Sequence, residues 1–82
     1  MDATHVASEI EILVKALREH GAQGPEGKLQ AKFGVIYDVT QDTLEALNGT
    51  LRAAKKQGVV TFAKQMLLKG PDDNELIILL TS

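Results

Sequence analysis

The sequence predicts a small α+β domain, about three helices packed with a small antiparallel sheet. Two segments carry apolar residues at helical spacing, residues 5–20 and 43–57. The second ends in Lys55-Lys56, passes Gly58 and runs straight into Val59-Val60-Thr61-Phe62, a β-branched and aromatic stretch. A strongly apolar run from Glu75 to Leu80 closes the chain. A helix with a basic last turn, a glycine and then a strand is how a winged helix-turn-helix enters its wing, so the expected form is winged-helix-like. Residues 1–82 make one domain, a length that buries only about 60–65% of its unfolded surface.

The first helix is expected over residues 5–20. Val6, Ile10, Leu13 and Leu17 form its apolar stripe, and Ile12, Val14 and Ala16 widen it. Asp2 or Thr4 can cap its start, and Gly21 reads as a left-handed cap at its end. Residues 21–27, GAQGPEG, are a loop. Its glycines do not make a phosphate loop: five residues separate Gly21 from Gly27, Leu29 follows Lys28, and a helix precedes the segment. Residues 28–33 alternate, with Leu29, Ala31 and Phe33 on one face and Lys28, Gln30 and Lys32 on the other, the pattern of a half-buried strand. Residues 34–40, GVIYDVT, have strand propensity, but the topology calls for a short helix there, and a helix is the reading taken.

The helix at 43–57 is the expected centre of the domain. Leu44, Leu47, Leu51 and Ala54 form one stripe, while Glu45, Gly49, Arg52 and Lys56 share another side. Thr40 or Asp42 caps it, and Asp42 with Glu45 resembles a capping box. Gly49 costs about 1 kcal/mol against Ala inside a helix, so it implies close internal packing or space for a partner, with packing favoured. Asn48-Gly49-Thr50 matches a glycosylation sequon, read as accidental within a helix. Residues 59–80 are expected to form the wing strands. Met66 to Lys69 is the expected partner of the last strand across a turn at Gly70 to Asn74, and that unbroken apolar strand is expected to be covered on both faces.

Composition narrows the function. The absence of cysteine excludes disulfides and thiolate metal sites. His5 and His20 stand about 22 Å apart on one helix and cannot share a metal. Asp72 and Asp73 could ligate an ion, but a turn carboxylate pair is ordinarily solvated. No convergent catalytic set is visible, so no cofactor, no metal and no enzymatic activity are expected. The net charge of −2 is unlike the strongly basic balance of a nucleic-acid binder. The acidic turn Asp72-Asp73-Asn74-Glu75 would repel phosphates at a wing tip. A winged-helix nucleic-acid-binding module is therefore the alternative rather than the first reading. No apolar run reaches the roughly 18 residues of a membrane span, and no signal peptide is visible. A cytoplasmic monomer is expected.

The runs KFGVIYD, LRAAKKQGVVTF and MLLKGPDDNELIILL resemble the Costars family over residues 27–80. Gly27-Lys28-Leu29, Phe33-Gly34, Leu51, Ala54-Lys55, Val60, Phe62, Leu67, Gly70, Asp73 and Ile77-Ile78-Leu79-Leu80 carry that resemblance. The family is similar to the carboxy-terminal part of actin-binding Rho-activating protein. After Phe62 it usually has a glycine and then an acidic residue, where Lys64 and Gln65 stand here, and Lys69 replaces an expected glutamine. The resemblance implies a winged-helix-like, non-enzymatic regulator of actin organisation and cell motility. Its partner would be actin or an actin-regulating protein, and its setting cytoplasmic or cytoskeleton-associated. Basic groups suit an acidic actin surface, which makes Arg52, Lys55 and Lys56, with Lys64 and Lys69 of the wing, the candidate partner-binding residues.

Overall fold

The computed structural model describes residues 2–43 and 46–80, with side chains from Ser8 onward. Helix α1 spans Asp2–His20, strand β1 Ala22–Gln23, β2 Leu29–Lys32, helix α2 Phe33–Thr40, α3 Leu47–Lys56, β3 Val60–Thr61 and β4 Leu76–Leu79. The four strands form one sheet in the order β1-β2-β4-β3, and every neighbouring pair is antiparallel. This is the expected α+β class: three helices on a small antiparallel sheet. Helix α1 lies between the other two helices and also touches β2. Among the described residues, no helix is long and apolar enough to cross a membrane.

The core draws on both expected stripes. Leu13 and Leu17 of α1, Phe33 and Ile36 of α2, Leu51 of α3 and Ile77 of β4 are fully buried. Phe33 meets Tyr37 edge to face, with ring centroids 5.9 Å apart. Thr40 is buried because its hydroxyl donates to the Ile36 carbonyl at 2.6 Å, which leaves no unpaired polar atom there.

Several boundaries differ from the sequence reading, each for a local reason. Helix α1 begins at Asp2, before the expected His5, so Thr4 lies inside the helix rather than at its cap. Gly21 does not adopt a positive φ. It is small because a Cβ there would stand 2.5 Å from the Leu17 carbonyl and 2.8 Å from that of Gln30. The expected loop 21–27 contains β1, whose two residues pair with β2. The strand expected at 28–33 ends at Lys32, because Phe33 already belongs to α2.

The largest correction to a helix concerns α3, which starts at Leu47 and not at 43. The chain must reverse direction after α2. It does so in a turn where Thr43 donates from both its amide and its hydroxyl to the Thr40 carbonyl. Ala46 then holds a non-helical conformation, φ −135° and ψ 80°, and stands at the N-cap without a side-chain bond. Asp42 therefore does not cap α3, and Leu44 and Glu45 lie outside the described residues. The other end follows expectation. Gly58 takes φ 77°, its amide donates to Lys55, and the Val59 amide donates back to Ala54, which is a Schellman stop.

The wing strands expected across 59–80 shrink to β3 and β4. Met66 to Lys69 is not a strand, and β4 instead pairs with β2 on one side and β3 on the other. The long connection between β3 and β4 folds back onto the start of α2. There the amides of Phe33 and Gly34 donate to the carbonyls of Glu75 and Asp73 at 2.8 and 3.0 Å. These bonds satisfy donors that a helix start leaves open, and Lys32 at the N-cap supplies no side-chain bond. A Cβ on Gly34 would sit 3.0 Å from both Cβ and Cγ of Asp73, so any larger residue requires Asp73 to shift by a few tenths of an ångström.

Two substitutions test this packing by urea denaturation. Leu51→Ala should lose about 2–5 kcal/mol, a large share of the roughly 4–12 kcal/mol that a domain of this length holds. Gly34→Ala should lose about 1–3 kcal/mol through overpacking against Asp73, although alanine is the better helix former. A neutral or stabilising Gly34→Ala would show that the connection yields freely.

Candidate basic interface on α3

Helix α3 is buried along Leu47, Thr50, Leu51 and Ala54 and open on its other side. Helical spacing brings Gly49, Arg52, Ala53 and Lys56 together on that open side. With Gln65 from the following connection they line a shallow groove of about 590 Å³. Gly49 is exposed, and among the described residues a Cβ there would touch only the Ala46 Cβ, at 3.9 Å. Among those residues the close internal packing expected at Gly49 is absent, and the glycine forms open groove floor. Arg52 and Lys56 are exposed on the rim, and neither is bonded to any described residue.

The other three candidate residues are engaged within the chain. Lys55 turns under the helix end, where its ammonium donates to the carbonyls of Phe62 at 2.8 Å and Lys64 at 3.0 Å. It also lies 4.4 Å from the centre of the Phe62 ring, a cation–π contact. Lys55 therefore clamps α3 to the segment after β3, while still lining part of the groove. Lys64 donates to Asp72 at 2.5 Å. Lys69 donates to Asp73 at 3.0 Å and lies 5.7 Å from the Tyr37 ring centre.

Asp72 and Asp73, expected as a solvated wing tip, organise the connection instead. Asp72 is only 3% exposed. One carboxylate oxygen accepts from Lys64 and the other from the Leu68 amide at 2.8 Å. The Lys64 bond and then the Leu68 amide hold its pKa below the ordinary 3.8. Asp73 accepts from the Gly70 amide at 2.8 Å and from Lys69, and in that order these two lower its pKa. Bonds to Asp72 and Asp73 in turn raise the pKa values of Lys64 and Lys69. Asn48 of the sequon joins the same fabric, since its side-chain oxygen accepts from the Leu67 amide at 3.3 Å. Sequence reasoning missed the roles of Asn48 and Asp72; the amides they hold, those of Leu67 and Leu68, lie 19 and 4 residues away, and no local pattern pairs them.

This arrangement defines a class: a compact α+β domain whose exposed chemistry is a helix-borne basic groove. Among the described residues, no group of three or more His, Asp or Glu gathers to hold a metal ion. The Costars family model matches residues 5–80, and the chain belongs to the Costars family. It is 45% identical over 78 residues to the Costars family protein ABRACL of Xenopus tropicalis, covering 93% of this chain and 96% of that protein. It is 43% identical over 82 residues to Protein costars of Dictyostelium discoideum, covering 98% of this chain and 96% of that one. The solution structure of human HSPC280 protein superposes with a TM-score of 0.87 at 39% identity, over 94% of this chain and 93% of that structure.

The lysine assignments predict a split between neighbours. Lys55→Met keeps the stem but loses two charge-assisted bonds, and should cost about 1–2 kcal/mol. Lys56→Met should stay within about 0.5 kcal/mol of the parent in the same urea titration. The acid pair predicts a pH profile. Carboxylates depressed in the fold contribute stability that is complete above their unfolded values near 3.8 and lost as pH falls through the lower folded values. Lysines raised in the fold contribute stability that is complete below 10.5 and lost as pH rises through their folded values. The melting temperature should therefore fall at both extremes, and Asp72→Asn should flatten the acid limb.

Proposed function

We propose that this protein is a non-enzymatic regulator of actin cytoskeleton organisation and cell motility. It acts as a winged-helix-like adaptor, a cytoplasmic monomer that reaches the cytoskeleton through protein–protein contacts with actin or an actin-regulating protein. The observation that carries this reading is the pair Arg52 and Lys56, one turn apart beside a glycine floor and unpaired among the described residues. Cations carried on a helix suit an acidic protein surface, because no bond to a described residue has to be broken to engage them. The family's similarity to the carboxy-terminal part of actin-binding Rho-activating protein supports the cytoskeletal direction. Lys55 takes the role of a positioning group, since its bonds to the Phe62 and Lys64 carbonyls hold the segment that carries Gln65 against α3; Lys64 and Lys69 hold the connection through Asp72 and Asp73.

A nucleic-acid role has less support. Of the basic residues on and after α3, three are bonded internally, leaving two on the open helix face. Two cations with a net charge of −2 give little counterion release.

Co-sedimentation with filamentous actin, alone and with a filament-severing factor, tests the proposal. The parent should pellet with filaments or change the severing rate. Arg52→Glu with Lys56→Glu should weaken that effect by about tenfold or more. Gly49→Trp, which fills the groove without altering charge, should do the same. Parent-like behaviour of both variants, or no effect of the parent, would remove the proposal, and binding to duplex DNA at low salt would favour the alternative.

A further inference from the structure

The outer face of the sheet breaks the usual alternation. An antiparallel sheet with one solvated face ordinarily puts polar residues outward. The inward positions of β4, Ile77 and Leu79, are buried as expected. The outward positions are apolar as well: Leu76 is 39% exposed, Ile78 partly exposed and Leu80 40% exposed. The expectation that both faces of this strand are covered is therefore overturned. Leu76 and Leu80 thus keep a substantial part of their apolar surface open.

Beside this apolar column stands a second column. Gln30 pairs with Ile78, and Lys32 pairs with Leu76. Continuing that register sets Lys28 beside Leu80, and both residues line one groove. Lys28 and Lys32 are exposed, and neither is bonded to any described residue. The outward strand positions carry no carboxylate, and Glu26 of the β1–β2 turn is the one acid lining the groove beside Ile78. The face thus presents a greasy ridge about 13 Å long with two free ammonium groups spaced about 13 Å apart alongside it.

We propose that this outer sheet face is a second docking surface, and that its occupant is an amphipathic helix of a partner protein with acidic residues along one flank. Apolar side chains at i, i+4 and i+8 span about 12 Å, which matches the ridge from Leu76 to Leu80. Glutamates or aspartates one step around that helix reach Lys28 and Lys32. A second copy of this chain fits poorly, because stacking two such faces would bury four lysines without opposing carboxylates. At its Lys28–Leu80 end the surface reaches Arg18 of α1, but it shares no lining residue with the α3 groove, so the two can be tested separately.

The test uses the full chain and a fluorescein-labelled helical peptide with leucines at i, i+4 and i+8 and glutamates on one flank. A matched peptide with lysines in place of the glutamates is the control. Anisotropy should give saturable binding of the acidic peptide, with the lysine peptide at least about tenfold weaker. Amide shifts in 15N spectra should cluster at residues 28–32 and 76–80. Lys28→Glu with Lys32→Glu, and separately Leu80→Ser, should each weaken binding by a similar factor. Arg52→Glu with Lys56→Glu should leave it unchanged, so failure here is distinguishable from failure of the α3 groove. Equal binding of both peptides, shifts confined to α3, or no binding at millimolar peptide would overturn the proposal. Concentration-dependent dimerisation through this face, or binding to anionic vesicles with no peptide effect, would overturn it as well.

Discussion

Two backbone hydrogen bonds at the start of α2 tie the whole architecture together. Phe33 and Gly34 follow directly on β2, and the carbonyls they donate to, those of Glu75 and Asp73, stand directly ahead of β4. The entry of the last strand is therefore fixed at the point where the second strand ends. Once that junction is set, β2 and β4 can pair in one register only, with Lys32 opposite Leu76. A one-residue slip would turn Ile77 and Leu79 outward and empty the core of both. The aspartates stabilise the same junction, because each holds a backbone amide and a lysine of the connection that delivers β4.

Much of this was legible in the sequence where one physical signal dominated. The stripe of α1 and the alternation of residues 28–33 placed those elements to within a few residues. The short helix over 34–40 required topology to overrule the β propensity of Val35, Ile36 and Val39, and the structure has it at Phe33–Thr40. The Gly58 stop was readable because a Schellman motif needs a left-handed residue and glycine supplies it at little cost. Helical spacing also brought Gly49, Arg52 and Lys56 to one side of α3, the side where the groove lies.

What stayed hidden depends on contacts distant in sequence. Lys55 and Lys56 look alike as letters, yet one faces the carbonyls beyond β3 and the other faces solvent. Helical spacing sets Lys56 beside Arg52 and Lys55 beside the buried stripe, but the carbonyls that Lys55 reaches are defined only once Phe62 is placed. Asp72 resembles a solvated turn residue, and only the inward turn of Leu67 makes it a buried acceptor. The apolar run 76–80 read as a strand covered twice over, because periodicity cannot report that the helices lie on one face alone. The net charge of −2 carries no placement: the pairs Lys64–Asp72 and Lys69–Asp73 cancel within it, and it does not report that Arg52 and Lys56 share one open helix face.

The sheet's rims are two residues long, Ala22–Gln23 on one side and Val60–Thr61 on the other. Such brief rims offer little unpaired backbone for a stray strand to copy. An open greasy plane bordered by long edges would invite stacking into fibrils. Here the borders are too short to template growth, so the molecule can keep that plane bare between encounters and still resist self-polymerisation.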